Sequence, residues 1–270
     1  MKLAVTIVKD AGAQAPLVLR GEYTDSIRTA AQIGYDAVEL HVHNPAEVDV
    51  AVVRGACEKV GIGICSIGTG LAFVREGLSL TSRDEQVRRR AIARLKGFIA
   101  LGAEFGSVVI VGLMKGLVKD SNGSNEYDRH LKEALDECLP LAQDSGVTLV
   151  LEAMNRYESD TLNTIEECMR TIERFNSAHL KLHIDTYHMN IEEDQIGRNI
   201  IAAGKHIGHV HIADSNRSYP GTGHYDFAET LTALKTSDYQ GALAVECLPT
   251  PTPDLAARGA YRAMRAALMR

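Results

Sequence analysis

The sequence contains no tryptophan, and aromatic residues make up only 5% of its 270 residues. No tryptophan-rich patch therefore marks a protein interface. The sequence also lacks a cluster of basic residues, because its 29 lysines and arginines are scattered among 35 acidic residues, with a net charge of −6. Binding of nucleic acid phosphates needs clustered positive charge. The charge pattern therefore argues against nucleic acid as a partner.

Paired cysteines and long apolar runs are absent as well. The five cysteines are widely spaced and form no C-x-x-C pair, which argues against a disulfide framework or a zinc–thiolate site. No apolar run approaches the length of a membrane span, and the N-terminal segment does not have the pattern of a signal peptide. These absences predict a cytoplasmic protein with no membrane partner.

The sequence does contain short apolar runs rich in valine and isoleucine, separated by segments with helical periodicity. Eight alternating units in 270 residues give roughly 34 residues per unit, which is typical of a (β/α)8 barrel. We therefore predict an α/β fold, a single-domain (β/α)8 TIM barrel over residues 1–270. The eight predicted strands are 3–8, 37–42, 62–67, 108–111, 147–151, 180–184, 207–212 and 242–245.

A doubly wound sheet is the alternative α/β architecture. Its nucleotide-binding fingerprint is missing, because Gly68 and Gly70 are followed by Phe73 where a third glycine would be required. Glycines instead follow the helical segments at positions suited to a left-handed helix stop, for example Gly61 and Gly102. Both observations favour the barrel.

Polar residues end four consecutive predicted strands. These residues are Glu152, Asp185, His211 and Glu246, separated by 33, 26 and 35 residues, or about one β/α unit each. Active sites of TIM barrels lie at the carboxyl ends of the strands, so we expect the four side chains to form a ring. Three carboxylates in one ring would repel each other unless a cation lies between them. Oxygen donors with one imidazole suit Mn²⁺, Mg²⁺ or Co²⁺, with Zn²⁺ and Fe²⁺ left open.

Four further histidines lie near this ring in the sequence. His183 and His209 precede Asp185 and His211 by two residues, so we expect them one layer deeper on the same strand faces, as core or supporting groups. His41 and His43 end the second predicted strand, with the i, i+2 spacing that some metal-dependent amidohydrolases use. Helix capping or substrate contact is the favoured interpretation of that pair.

The second half of the chain contains four distinctive motifs. They are Glu152–Glu158 (EAMNRYE), Asp185–Glu193 (DTYHMNIEE), His211–Arg217 (HIADSNR) and Glu246–Pro249 (ECLP). Through these motifs the second half resembles the D-tagatose 3-epimerase-like branch of the xylose-isomerase-type barrels. Ile67–Gly70 and Gly77–Thr81 make the first half most similar to the 5-keto-L-gluconate epimerases of that branch.

The resemblance implies specific roles. The four strand-end residues would be the metal ligands, with Mn²⁺ as the metal and Co²⁺ or Mg²⁺ as alternatives, and Glu152 and Glu246 would also be the catalytic acid and base. The residues that would contact the substrate oxygens are Glu158, His188 and Arg217. The chain lacks the additional ligands of the related endonuclease IV, which counts against DNA repair. Family members commonly form dimers or tetramers, so we expect a homodimer or homotetramer.

The paired glutamates favour an epimerase. Inversion of the carbon next to a carbonyl requires one group to remove a proton from one face and another to return a proton to the opposite face. We therefore predict a metal-dependent epimerase acting at C3 of a ketose or keto-sugar acid. An aldose–ketose isomerase, a hydroxypyruvate isomerase and an inosose dehydratase remain alternatives, as does a metal-binding barrel without catalysis.

Lys115 gives an indication of the substrate class. It lies in the loop that follows the fourth predicted strand, next in barrel order to the strand that ends at Glu152. A cation there would suit a substrate carboxylate, such as that of 5-keto-L-gluconate or D-tagaturonate. Lys119 nearby supports the alternative of a solvated loop lysine.

Overall fold

Eight parallel strands close into a barrel in the computed structural model, which describes residues 1–269. Neighbours in the sheet follow chain order, and the first strand also pairs with the last, which closes the sheet. A further two-residue strand pairs in parallel with the first strand alone. The strands are β1 (Lys2–Val8), β2 (Leu19–Arg20), β3 (Ala37–His41), β4 (Gly63–Gly68), β5 (Val108–Val111), β6 (Leu149–Glu152), β7 (Leu180–Asp185), β8 (Ile207–Ile212) and β9 (Ala242–Val245).

Helices connect the barrel strands and cover the outside of the barrel. None of the helices within residues 1–269 is both long and apolar enough to cross a membrane. The helices are α1 (Tyr23–Ile33), α2 (Val50–Val60), α3 (Gly70–Glu76), α4 (Glu85–Phe105), α5 (Ser124–Asp144), α6 (Ile165–Glu173), α7 (Thr186–Glu192), α8 (Ile196–Ala203), α9 (Phe227–Thr236) and α10 (Pro253–Leu268).

The two faces of the barrel strands carry different residues. Outward-facing valine, leucine and isoleucine side chains pack against the helices in the main hydrophobic core. Inside the barrel, Ala4, Ala37, Ala242 and Ala244 form a separate small cluster. Further along β3 and β8, the buried residues include ionisable side chains instead of alanine. The barrel interior therefore changes from small and apolar at the amino ends to polar towards the carboxyl ends of the strands.

The barrel prediction is confirmed, and each of the eight predicted strands overlaps a barrel strand. Gly61 ends α2 in the left-handed conformation, as expected. The expectation for Gly102 is wrong, because α4 continues to Phe105 and ends at Gly106. Gly102 serves close packing instead, since a Cβ atom there would lie 2.8 Å from Val109 Cγ2.

Candidate active site

The structure brings the four predicted strand-end residues together at the carboxyl ends of the barrel strands. Glu152 and Asp185 are the last residues of β6 and β7, His211 lies in β8, and Glu246 follows β9 directly. One ligand-type atom from each of Glu152, Asp185 and His211 lies within 4.8 Å of the others. Glu246 Oε2 lies 3.4 Å from His211 Nδ1. All four residues are buried.

Two polar atoms at this cluster have no hydrogen-bond partner within residues 1–269, Asp185 Oδ2 and His211 Nδ1. These atoms lie 4.0 Å apart. A buried polar atom without a partner is costly, and carboxylate oxygens cannot satisfy one another. A divalent cation fits this donor set, because it would bind the free oxygen and the free nitrogen at once.

The charges of the cluster are strongly coupled. Burial opposes a charge on His211, but the carboxylates of Glu39 and Glu246 outweigh it and raise the pKa of His211 well above its usual value. Burial also opposes ionisation of Glu246, yet His211, His41 and Arg217 lower the pKa of Glu246 to about 2. Burial raises the pKa of Asp185. The carboxylates therefore favour a positive charge at this place, which either a second proton on His211 or a bound cation in its stead would supply.

A second layer of polar residues lies above the cluster. His188 Nε2 is 3.6 Å from Glu152 Oε1 and 3.8 Å from Asp185 Oδ2. Asn155 orients this layer, because its Nδ2 atom lies 2.7 Å from His188 Nδ1 and donates to Glu158 Oε1 at 3.1 Å. The predicted substrate residues Glu158 and His188 are thus held by one side chain.

Arg217, the third predicted substrate residue, joins the two layers. Its guanidinium donates to Glu158, lies 3.9 Å from Glu246 Oε2 and stacks 4.8 Å from the Tyr187 ring centre. The backbone of Arg217 has a left-handed φ of 60°. Asp214 stabilises this loop by accepting hydrogen bonds from the backbone amides of Ser215, Gly221, Thr222 and Tyr225. The loop therefore fixes the arginine over the site.

A cavity of about 220 Å³ opens above the cluster. Its polar side carries Glu152, Glu158, His188, His211, Arg217 and Glu246, together with His41. Its opposite wall is largely apolar and comes from the loops and helices that follow β1, β4 and β5, including Leu17, Leu71, Val74 and Leu113. A small polar molecule in this cavity would contact ionisable groups on one side and a hydrophobic wall on the other.

Glycines make room for the site at two strand ends. A Cβ atom at Gly112 would overlap Glu152 Oε2, and a Cβ atom at Gly68 would overlap the imidazole of His41. Neither glycine has a positive φ. Space, not backbone conformation, is therefore what requires glycine at both positions.

Lys115 is buried, with 1% of its surface exposed, so the alternative of a solvated loop lysine is wrong. Burial lowers the pKa of Lys115, and the nearby carboxylate of Glu152 opposes this effect only in part. The residues that line the cavity include Leu113 of the same loop but not Lys115. A contact between Lys115 and the substrate stays a prediction.

The sequence analysis missed Glu39, a fully buried residue of β3. Its Oε1 atom lies 2.6 Å from His41 Nε2 and 2.7 Å from His211 Nε2. Its Oε2 atom lies 2.6 Å from His209 Nε2 and accepts a hydrogen bond from Ser66 Oγ at 2.5 Å. Burial alone would raise the pKa of Glu39, but His211 and the three histidine hydrogen bonds hold it well below its usual range. A glutamate inside an apolar strand, two residues before a histidine, was the signal in the sequence.

The remaining histidines differ in their surroundings. His209 contacts Glu39, as expected of a supporting group. His183 is buried against His209 and His211, with ring centres 5.1 and 4.1 Å away, and its ring nitrogens have no hydrogen-bond partner within residues 1–269. His43 Nε2 lies 3.4 Å from Glu47 outside the cluster.

Comparisons with known proteins identify the family of this chain. Residues 27–267 match the model of the family described as "Xylose isomerase-like TIM barrel". The chain is 32% identical to an L-ribulose 3-epimerase of Methylomonas sp. (strain DH-1) over 85% of this chain and 79% of the relative. It is 37% identical to a 3-dehydro-D-guloside 4-epimerase of Escherichia coli (strain K12) over 82% of this chain and 86% of the relative.

A solved structure shares the whole fold. The D-allulose 3-epimerase from Methylomonas sp., in complex with D-allulose, superposes with a TM-score of 0.83 and 26% identity, covering 98% of this chain and 97% of that chain. These relatives are enzymes of the isomerase class, as the sequence analysis predicted for this chain. The chain belongs to the xylose isomerase-like TIM barrel family and fits its tagatose 3-epimerase-like branch.

Proposed function

We propose that this protein is a metal-dependent epimerase that inverts the carbon next to the carbonyl of a ketose. The observation that carries the proposal is the cluster of Glu152, Asp185, His211 and Glu246, with its unpartnered oxygen and nitrogen. All of these residues except Asp185 line a small cavity. These four residues would hold one divalent cation, Mn²⁺ being the first candidate and Co²⁺ or Mg²⁺ the alternatives. A cation there supplies Lewis-acid polarisation of the substrate carbonyl.

The names of the relatives support the choice of carbon. A ketose 3-epimerase inverts the carbon beside a C2 ketone, and a 3-dehydro-guloside 4-epimerase inverts the carbon beside a C3 ketone. Both reactions remove and return a proton α to a ketone. The shared step favours this chemistry over the transfer between C1 and C2 that an aldose–ketose isomerase performs.

The side chains of this chain can perform the proton transfers. Glu152 and Glu246 lie on strands three positions apart around the barrel, so a substrate carbon between them would present opposite faces to the two carboxylates. One glutamate, ionised, removes the proton, and the other, protonated, delivers a proton to the opposite face. His188, Glu158 and Arg217 would hold the neighbouring hydroxyl and carbonyl oxygens.

The test is a panel of ketoses in D₂O with metal-free protein and with protein reloaded with Mn²⁺. We expect the reloaded protein to convert L-ribulose, D-allulose or D-tagatose to the C3 epimer with deuterium at C3, and the metal-free protein to be inactive. Aldose products with deuterium at C2 would favour the isomerase alternative. Full turnover by metal-free protein would overturn the metal-dependent mechanism.

The same panel addresses keto-sugar acids. 5-Keto-L-gluconate and D-tagaturonate are compared with the neutral ketoses on the wild-type protein and on Lys115→Met. If Lys115 binds a substrate carboxylate, the substitution lowers kcat/KM for the acids and leaves the neutral ketoses nearly unchanged. Equal effects on both classes would exclude that role. The expectation of a homodimer or homotetramer stays a prediction beside these proposals.

A further inference from the structure

Glu39 lies directly behind the proposed metal site and contacts one of its ligands. Its two oxygens receive four polar partners, the Nε2 atoms of His41, His209 and His211 and the hydroxyl of Ser66. An ionised carboxylate offers about four lone-pair positions and no proton. Each of the three imidazoles must therefore carry a proton on Nε2 to make its hydrogen bond.

This requirement determines which ring nitrogen of His211 has a free lone pair. With the proton on Nε2 pointing at Glu39 Oε1, the Nδ1 atom of neutral His211 carries the free lone pair. That Nδ1 atom is the buried nitrogen without a partner, 3.4 Å from Glu246 Oε2 and 4.0 Å from Asp185 Oδ2. The lone pair thus points to the place where the carboxylates need a cation.

The group of Glu39, His41 and Glu246 is itself a possible ligand set for a second ion. The distances argue for hydrogen bonding instead. Glu39 Oε1 lies 2.6 Å from His41 Nε2, whereas two ligands of one ion at bond lengths of about 2.0–2.2 Å lie about 3 Å or more apart. In addition, His211 Nε2 contacts the same Oε1 atom at 2.7 Å. Glu39 therefore acts through its hydrogen bonds.

We propose that Glu39 is the positioning residue of the metal site, which fixes His211 in the Nε2-protonated tautomer and aims Nδ1 at the cation. His41 and His209 share the same carboxylate, so they prevent it from turning away from His211. The inference rests on the proposed metal-dependent function and adds a residue from the opposite side of the barrel to it. Outer carboxylates of this kind typically change metal affinity by about 10- to 100-fold when they are removed.

The experiment compares metal affinity in three proteins, the wild type, Glu39→Gln and Ser66→Ala, by titrating metal-free protein with Mn²⁺ and following free Mn²⁺ by EPR. Glutamine keeps the shape of Glu39 but has only one accepting atom, so it cannot accept from all four partners. We expect Glu39→Gln to weaken Mn²⁺ binding about 10- to 100-fold. Ser66→Ala removes a partner of Glu39 that does not touch His211, and we expect a change below about threefold. Circular dichroism verifies that each variant is folded.

A second measurement needs no variant. In the wild-type protein loaded with diamagnetic Mg²⁺, ¹⁵N NMR of the histidine rings should show a proton on Nε2 of His211 and none on Nδ1. A proton on Nδ1, or wild-type Mn²⁺ affinity in folded Glu39→Gln, would overturn the inference alone. A wild-type protein that binds neither ion would overturn the proposed function and this inference together.

Discussion

The two halves of the barrel contribute different things to the site. Strands β6 to β9 supply the ionisable residues of the cluster, and the loops that follow them supply Glu158 and Arg217. The loops and helices that follow β1, β4 and β5 supply mainly the apolar wall, with Leu71 and Leu113 as examples. Glu39 and His41 on β3 are exceptions, because His41 lines the cavity and the Glu39 carboxylate contacts both His41 and His211. The ionisable residues of the site and the apolar residues that shape the cavity thus come largely from different halves of the barrel.

This separation has a physical basis. A proton transfer tolerates errors of only about 0.5 Å in the positions of its groups, so these groups gain from attachment to rigid strand ends. The wall needs only to match the outline of the substrate. Substitutions in the wall would therefore change which substrate fits without moving the carboxylates.

The largest effect on turnover is expected from substitutions in the half of the barrel that carries the ionisable cluster, β6 to β9. Glu152→Gln and Glu246→Gln should each lower epimerase turnover by about 10³-fold, since each removes one of the two groups that we propose for proton transfer. A given substrate has its C3 proton on one face only. We therefore expect one of the two variants, the one that keeps the glutamate on that face, still to exchange this proton with solvent. Deuterium incorporation measured by NMR checks this. Equal partial activity in both variants would indicate a single-base mechanism.

A smaller effect is expected from the wall. Leu113→Ala enlarges the cavity on the apolar side, so it should change the ratio of kcat/KM between five-carbon and six-carbon ketoses by about tenfold. Mn²⁺ affinity should not change. The matched control is Val52→Ala, an exposed valine of α2 outside the cavity. A loss of metal binding in Leu113→Ala would contradict the separation of the two halves.

The smallest effect concerns the loop that carries Glu158. Glu192, at the end of α7, accepts hydrogen bonds from the backbone and the guanidinium of Arg156, and the hydrogen bond from Arg156 lowers the pKa of Glu192 below its usual 4.5. A lowered carboxylate pKa stabilises the folded protein above about pH 4.5, and the contribution is lost as the pH falls through the folded value. Because Arg156 is largely exposed, we expect Glu192→Gln to cost about 0.5–1 kcal/mol at pH 7.

Thermal unfolding of the wild type and Glu192→Gln between pH 7 and pH 3 measures this contribution. The difference in Tm should be present at pH 7 and should shrink in the acid range. Glu166→Gln, which alters an exposed carboxylate of α6, serves as the control. A difference that persists unchanged to pH 3 would show that the ion pair is not its source.

The fold was readable from the sequence because strands of a parallel barrel are buried on both faces and appear as continuous apolar runs. The two-residue strand Leu19–Arg20 was too short to give such a run. Gly102 misled the prediction of a helix end, since glycine is used both where a helix stops and where a strand packs closely on a helix. Sequence alone does not distinguish these uses.

The sequence analysis could predict those site residues that lie at the ends of strands. Glu39 was not found because its partners His209 and His211 are 170 and 172 residues away along the chain. The burial of Lys115 also depends on tertiary packing, in this case of the loop after β5. The local sequence pattern therefore identified the four strand-end residues. It did not identify Glu39, which supports them from another strand.

Gly112 has a consequence for engineering the substrate range of this protein. Its position at the edge of the cavity, beside Leu113, makes it an obvious choice for a mutagenesis library. Every side chain placed there would displace the Glu152 carboxylate. With Glu152 in its proposed role, we expect such a library to return inactive proteins for a reason unrelated to the fit of the sugar. Libraries built at Leu17, Val74 and Leu113 would vary the wall and leave both glutamates in place.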